Sequence, residues 1–275
     1  MKINLEPTGE RVIEDAYQHS LGTYTIYAMH GASYRFVQDL CADKCVLDLG
    51  CGSGYGSHRI AAVAREVQGV DVAADAVAYA QQKYQHPGLS FRQIIAGQAL
   101  PFADGYFDVV LSFQVIEHVH DDNAYLLEAK RVLRPGGILV VITPDRQHRL
   151  LPGQKPWNRW HLREYSMEQL CQQVQTHFTL TQALRMGADW PVAATEIRRY
   201  RRTKWLTLPA TLPFVPEAIR GAALNLVHRV IDGSKKRSTS APTPAVIDYG
   251  FDEKDFQISP DPPNALNLIV VAKRS

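Results

Sequence analysis

The chain has 275 residues and a formal net charge of +2, with 45% hydrophobic and 21% charged residues. That composition suits a globular domain carrying an insertion and excludes a disordered or low-complexity chain. No stretch reaches the roughly 18 uninterrupted apolar residues of a spanning helix. The N-terminus, MKINLEPTGERVIED, meets acids and a proline before any apolar run. It does not read as a signal peptide, so the expected location is the cytoplasm. Cys41, Cys45, Cys51 and Cys171 form no CxxC pair, and no cysteine–histidine cluster has zinc spacing. Neither a disulfide framework nor a metal site is predicted. The charge is local: residues 190–240 hold ten lysines and arginines against three acids, a net of +7, which leaves −5 for the rest.

In chain order, GERVIEDAYQHSLGTYTIYAMHGASYRFVQDL predicts one or two helices rich in tyrosine (Tyr17, Tyr24, Tyr27, Tyr34). From Lys44 short apolar runs alternate with helical patterns, the mark of βαβ units and a parallel sheet. KCVLDLG is a first strand and SHRIAAVARE a helix; VQGVDV is a second strand and AADAVAYAQQKY a helix. LSFRQIIA and YFDVVLSFQ are the next strands, NAYLLEAKRVL a helix, and GGILVVITP a fifth strand. SMEQLCQQVQTHF is a helix with Ser166 as N-cap. TLTQALRM and ALNLIVVAK are the last two strands, separated by about 70 residues of different character. These contain Pro191, Pro209, Pro213 and Pro216, a helical stretch, and the linker-like GSKKRSTSAPTP. An insertion of that length reads as a cap or docking element.

The stretch VLDLGCGSGYGS places glycines at 50, 52, 54 and 56 behind a strand. A strand turning into a helix there brings backbone N–H groups to the ligand-binding edge of an open α/β sheet. The dinucleotide pattern GxGxxG fails, because Tyr55 or Ser57 stands where the third glycine belongs, and no lysine follows to make a P-loop. Asp48 would repel a pyrophosphate but attract an ammonium group. Asp71 ends the second strand 21 residues after Gly50, where a carboxylate can accept both hydroxyls of a ribose. A nucleoside joined to an amino acid, as in S-adenosylmethionine, satisfies both acids.

On these residues, together with LPFADGYFDVVLSFQVIEHV and RVLRPGGILVVITP, the chain resembles the class I S-adenosylmethionine-dependent methyltransferases, in particular the small-molecule and glycan branch called type 11. The resemblance implies an α/β, Rossmann-like seven-stranded sheet of order 3-2-1-4-5-7-6 with its last strand antiparallel. It implies S-adenosylmethionine as cofactor, held by Asp48, Gly50, Cys51, Gly52 and Gly54, with Asp71 on the ribose and Val72 under the adenine. Family members often have an acid after the third strand for the adenine amino group. Here Ala96 stands in its place, with the Gly97 N–H and Gln98 as substitutes. Ser112, Phe113 and Gln114 are expected beneath the methionine. The expected organisation is an N-terminal helical lid at 1–43, a core at 44–189, a cap insertion at 190–255 and a final strand at 256–275.

Transfer to a hydroxyl benefits from a general base, and the candidates are His118 in VIEHVHDD, His161 in PWNRWHLREYS, and His30 among the N-terminal tyrosines. Each has an alternative reading as a group that only holds its own segment together. In the insertion, EAIRGAALNLVHRVI places Ile219, Ala222, Ala223, Leu226, Val227 and Val230 on one helical face with Arg220 and Arg229 outside it. With RRYRRTKW and WLTLPATLPFVP upstream, residues 198–231 read either as an element meeting an anionic membrane or a phosphorylated lipid, or as a packed cap helix with a solvated basic flank. The resemblance favours a methyltransferase acting on a sugar or lipid-linked glycan hydroxyl, working in the cytoplasm or at the inner face of the membrane. A non-catalytic S-adenosylmethionine-binding regulator is the alternative. A nucleic-acid methyltransferase is less favoured, because no NPPY-type motif follows the fourth strand.

Overall fold

The computed structural model describes Ile13, Tyr17 and residues 20–236 and 247–275, with the backbone alone for 228–236. The earlier part of the tyrosine-rich segment, most of the linker and the side chains of Arg229 and Val230 lie outside the described residues. The strands are β1 (Cys45–Leu49), β2 (Glu66–Asp71), β3 (Leu89–Gln93), β4 (Phe107–Phe113), β5 (Leu133–Pro144), β6 (Thr179–Ala188), β7 (Phe256–Ser259) and β8 (Asn267–Lys273). The helices are α1 (Leu21–Cys41), α2 (Tyr55–Ala61), α3 (Ala74–Lys83), α4 (Asp122–Val132), α5 (Arg146–Arg149), α6 (Met167–Gln175), α7 (Trp190–Thr211) and α8 (Glu217–Lys236).

One sheet of order β3-β2-β1-β4-β5-β8-β6-β7 organises the molecule. β3, β2, β1, β4 and β5 are parallel neighbours, and β8 runs antiparallel to both β5 and β6. Strands buried on both faces carry near-continuous apolar runs, and their side chains alternate between two cores. Val46, Val109 and Val140 face one core with Tyr34, Val37 and Ile60 of the N-terminal helices. Leu47, Val110 and Leu139 face the other with Leu126 of α4 and Leu170 of α6. Ser166 caps α6 in a reciprocal capping box with Gln169.

Among the described residues the sheet has eight strands where seven were expected. The expected order is kept, and β7 is added outside β6, pairing antiparallel through Arg185–Ser259 to Ala188–Phe256. The chain returning from the insertion passes the open edge of β6, and pairing there satisfies backbone groups that an edge strand leaves exposed. Phe256 anchors this return in the core.

The insertion departs further from expectation. Its proline-marked first part is the 22-residue helix α7, with Pro191 in the first turn, where no donor is needed, and Pro209 near the end. In α8 Arg220 and Leu224 are buried, while Ile219 and Leu226 of the apolar face are exposed, which departs from the packed-cap reading alone. The reason is specific bonding. The Arg220 guanidinium donates to the Pro156 carbonyl at 2.7 Å and pairs with Glu217, so it draws the charged side inward. Lys155 Nζ donates to the Val215 carbonyl at 2.6 Å, and Gln154 Nε2 donates to Thr211 Oγ1 at 2.8 Å. The segment after β5 thus holds the α7–α8 hairpin.

Candidate active site

The glycine loop joins β1 to α2 at the C-terminal edge of the sheet. The Gly50 and Cys51 N–H groups donate to the Val70 carbonyl at 2.8 and 2.9 Å, which ties the loop to β2. Gly50, Gly52 and Gly54 have positive φ. The glycines serve different ends. A Cβ on Gly56 would enter the ring of Tyr34, so that glycine admits α1 against α2, whereas a Cβ on Gly52 would meet nothing within 4 Å. The open side of the loop is at Gly52, where a ligand can approach bare backbone.

Asp48 is buried beneath the loop. Its Oδ2 accepts from the Ser57 hydroxyl at 2.6 Å and from the Tyr34 hydroxyl at 3.2 Å, while Oδ1 has no hydrogen-bond partner. Burial pushes its pKa up to about 6, against the pull of those two hydroxyls, with Asp71 adding to the rise. Asp71 is aimed by backbone: Oδ2 accepts from Gly52 N–H at 2.9 Å and Oδ1 from Ala73 N–H at 2.9 Å. A carboxylate has about four lone-pair positions, so each oxygen retains capacity for a hydroxyl.

The other cofactor candidates surround this edge. Val72 is exposed beside Asp71, and Gln93 Nε2 donates to its carbonyl at 3.2 Å. Gly97, at φ +76°, opens onto space, and Gln98 is exposed in a turn closed on Ile95. Phe113 is buried edge-on against Tyr34, with ring centroids 5.0 Å apart. Gln114 has φ +58° and donates its N–H to the Ile142 carbonyl at 2.7 Å. A non-glycine residue held there is strained backbone of the kind that collects at functional sites.

Beyond Gln114 lies a narrow cleft, partly open to solvent, lined by His30, Arg149, Trp157, His161, Tyr200 and Asn267 among others. Two of the three candidate histidines therefore border it directly. His118, in the 3-10 turn Ile116–His118, stands beside His161, with the two rings edge-to-face at 4.8 Å. Its Nδ1 donates to the Trp160 carbonyl at 3.0 Å. His161 is buried, and its Nδ1 lies 2.9 Å from Glu164 Oε1. Glu164 also takes a two-pronged bond from Arg149, 2.9 Å on each arm. Burial tends to raise the Glu164 pKa, but Arg149 and His161 outweigh it and bring it down to about 2.

Sequence reasoning did not single out Arg149, Glu164, Asn267 or the role of Tyr34. Arg149 sits in an ordinary polar run after β5, and only its buried position between Trp157 and Tyr200, 4.5 and 4.7 Å from the ring centroids, marks it. The heptapeptide from Pro156 to Leu162 gave the one available signal: two tryptophans and a histidine in a loop.

The fold and loop are those found by comparison. A family model described as a methyltransferase domain matches residues 47–141. Over that stretch the chain is similar to S-adenosylmethionine-dependent methyltransferases. The chain is 38% identical over 170 residues to a probable S-adenosylmethionine-dependent methyltransferase of Mycolicibacterium smegmatis, covering 62% of this chain and 63% of that protein. It is 39% identical over 103 residues to a ubiquinone biosynthesis O-methyltransferase of Cereibacter sphaeroides, covering 37% of this chain and 41% of that one. The matched stretch thus spans less than two thirds of either relative. Among solved structures, an S-adenosylmethionine-dependent methyltransferase from Mesorhizobium loti aligns with a TM-score of 0.55 at 14% identity, over 91% of this chain and all of that one. The [4+2]-cyclase SpnF aligns with a TM-score of 0.53 at 22% identity, over 89% of this chain and 82% of that one. These likenesses establish the fold.

The residues present fit the family's cofactor. Asp48 Oδ1, buried and unpartnered, is a place for the methionine ammonium. The open Gly52 backbone admits the methionine portion, and Asp71 has lone pairs for the ribose hydroxyls. No described helix is long and apolar enough to cross a membrane.

Proposed function

We propose that this chain transfers a methyl group from S-adenosylmethionine to a hydroxyl of a sugar, and that the sugar belongs to a lipid-linked intermediate. The observation that carries this reading is the pairing of a cofactor loop with a cleft of mixed character. Trp157 and Tyr200 border the cleft with rings that are largely covered and stack on Arg149, and Asn267 Nδ2 is a buried donor with no hydrogen-bond partner. Sugars present both faces, apolar C–H and hydroxyl. The O-methyltransferase name of one relative agrees with a hydroxyl acceptor.

S-adenosylmethionine supplies an already activated methyl group, so the protein's task is alignment. Asp48, Gly52 and Asp71 fix one partner, and the cleft fixes the other. Positioning of this kind supplies on the order of 7–11 kcal/mol. His161 lines the cleft with Glu117 and His118 beside it, and these are the groups we assign to the acceptor hydroxyl. The α7–α8 hairpin supports a lipid-linked acceptor. Trp205, Leu206, Phe214, Ile219 and Leu226 are all more than half exposed, beside exposed Arg198, Arg201 and Arg202. Such a surface suits contact with an anionic membrane.

Calorimetric titration with S-adenosylmethionine is the first test. The expected result is binding that weakens about ten- to a hundred-fold in Asp71→Ala, as the loss of hydrogen bonds to a charged group implies. Absence of binding to a folded chain would end the reading. The acceptor is tested with labelled methyl on free and lipid-linked glycans, where methylation of neither would remove the sugar assignment. In parallel, sedimentation with phosphatidylglycerol vesicles is expected to carry the chain down at low salt. Phe214→Ser with Trp205→Ser should reduce that binding at least tenfold, since each buried large apolar side chain contributes about 1.5–3 kcal/mol. Equal sedimentation with uncharged vesicles would remove the role of the arginines.

A further inference from the structure

Glu117 is a buried acid with unusual company. Its side chain is wholly enclosed; Oε2 accepts from Thr143 Oγ1 at 2.9 Å, and Oε1 has no hydrogen-bond partner. The backbone carbonyl of Glu117 accepts from Leu162 N–H at 2.9 Å and from Arg163 N–H at 3.4 Å. That contact pins the loop after β5 onto the turn after β4 and brings His161 to Glu117 and His118. Ligand atoms of Glu117, His118 and His161 all lie within 4.8 Å of one another.

The two rings are oriented by groups outside the cluster. The Trp160 carbonyl can only accept, so His118 Nδ1 carries a proton, and the Glu164 carboxylate does the same for His161 Nδ1. A neutral imidazole protonated at Nδ1 has its lone pair on Nε2. Metal-ligating histidines are held in this way, with the other ring nitrogen donating to a carbonyl or a carboxylate. Two fully enclosed carboxylates, Glu117 and Glu164, share this network with the buried guanidinium of Arg149.

We propose that Glu117 Oε1, His118 and His161 form a binding site for a divalent transition-metal ion, of the zinc class, at the wall of the acceptor cleft. Two imidazoles and one carboxylate are a donor set for zinc or ferrous ions, and three protein ligands leave an open position. Because His161 lines the cleft, that position is available to an oxygen of the acceptor. The ion would hold the hydroxyl and ease loss of its proton, so the two histidines would act through the metal rather than as free bases. Ligand atoms on one tetrahedral zinc stand about 3.3 Å apart, as bonds of about 2.0 Å require. The cluster therefore contracts by no more than about 1.5 Å on binding. Linear spacing could not reveal this site, because one ligand lies 43 residues from the next.

The purpose assigned to the ion rests on the methyltransferase reading, but its binding does not, and the test keeps them apart. The full chain is stripped with a chelator and titrated with Co²⁺, followed by its visible absorption, and with Zn²⁺ in competition with a chromogenic chelator. The expected result is one equivalent per chain, weakened at least tenfold in Glu117→Gln, which keeps the shape of the side chain. His118→Ala, at a half-exposed position, gives the same loss if Glu117→Gln does not fold. No uptake by the unaltered chain, or uptake that neither variant changes, would overturn the site. S-adenosylmethionine titration of the stripped chain is run alongside. Cofactor binding without metal uptake rejects only the metal, whereas metal uptake without cofactor binding rejects only the methyltransferase reading.

Discussion

Arg149→Ala is expected to lower stability by about 3–5 kcal/mol, the cost of leaving a buried charge uncompensated. At roughly 2–4 °C per kcal/mol for a chain of this size, the midpoint of thermal unfolding should drop by about 6–20 °C. The structural basis is that Arg149 reaches Glu164 with two bonds of 2.9 Å and that both side chains are almost fully enclosed. Without the guanidinium, Glu164 keeps only His161. Replacing both partners by apolar residues, as in Arg149→Met with Glu164→Leu, should be milder, because no charge is then stranded. The pH dependence follows in sign. Glu164 is depressed to about 2 in the fold from an ordinary 4.5, so its contribution is present above pH 4.5 and lost as pH falls toward 2. Arg149→Ala should flatten that acid limb. An unchanged unfolding midpoint would mean that the loop bearing His161 is not held by this pair.

The candidate cofactor loop could be placed from the sequence, and so could the two histidines His118 and His161, but not the groups that surround them. Asp48, Gly52 and Asp71 fall on one βαβ unit, where sheet geometry converts spacing directly into position. His161 and Asn267 reach the cleft from the loop after β5 and the start of β8, Glu117 stands beside His161 on the turn after β4, and no local pattern links them. The same contrast holds for the fold. Strands buried on both faces announce themselves by apolar runs, and the Ser166 cap was readable from one residue. Helix α7 was obscured because Pro191 and Pro209 look like breaks, although a proline in the first turn interrupts nothing. Which face of α8 turns inward was not legible, because periodicity groups apolar residues without saying what they meet. Arg220 is held inward by its bond to the Pro156 carbonyl, with Glu217 as counter-charge. Strand β7 had only four residues in which to show itself.

Affinity for S-adenosylmethionine should rise about tenfold between pH 5 and pH 7, and Asp48 is the cause. Burial lifts its folded pKa to about 6 from an ordinary 3.8. A raised carboxyl favours the protonated form. In the cofactor-free chain its stabilising share is fully present below pH 3.8 and is lost as pH rises through 6. The difference of about two units is worth about 3 kcal/mol at 1.36 kcal/mol per unit. At neutral pH the empty loop therefore encloses a carboxylate that would be more stable neutral. The cofactor's ammonium needs the opposite form. Below pH 6 binding must first expel a proton, so the apparent affinity should fall tenfold for each unit, and above pH 6 it should level off. Asp48→Asn can still accept from Ser57 and Tyr34 but cannot ionise. It should raise the cofactor-free unfolding midpoint at pH 7.5, bind S-adenosylmethionine weakly, and show no slope between pH 5 and 7. Titration calorimetry in two buffers of different ionisation enthalpy checks the same point, since the unaltered chain should release close to one proton on binding at pH 5. A slope that persists in Asp48→Asn would assign the titration to another group and leave the orphaned Oδ1 without its ammonium.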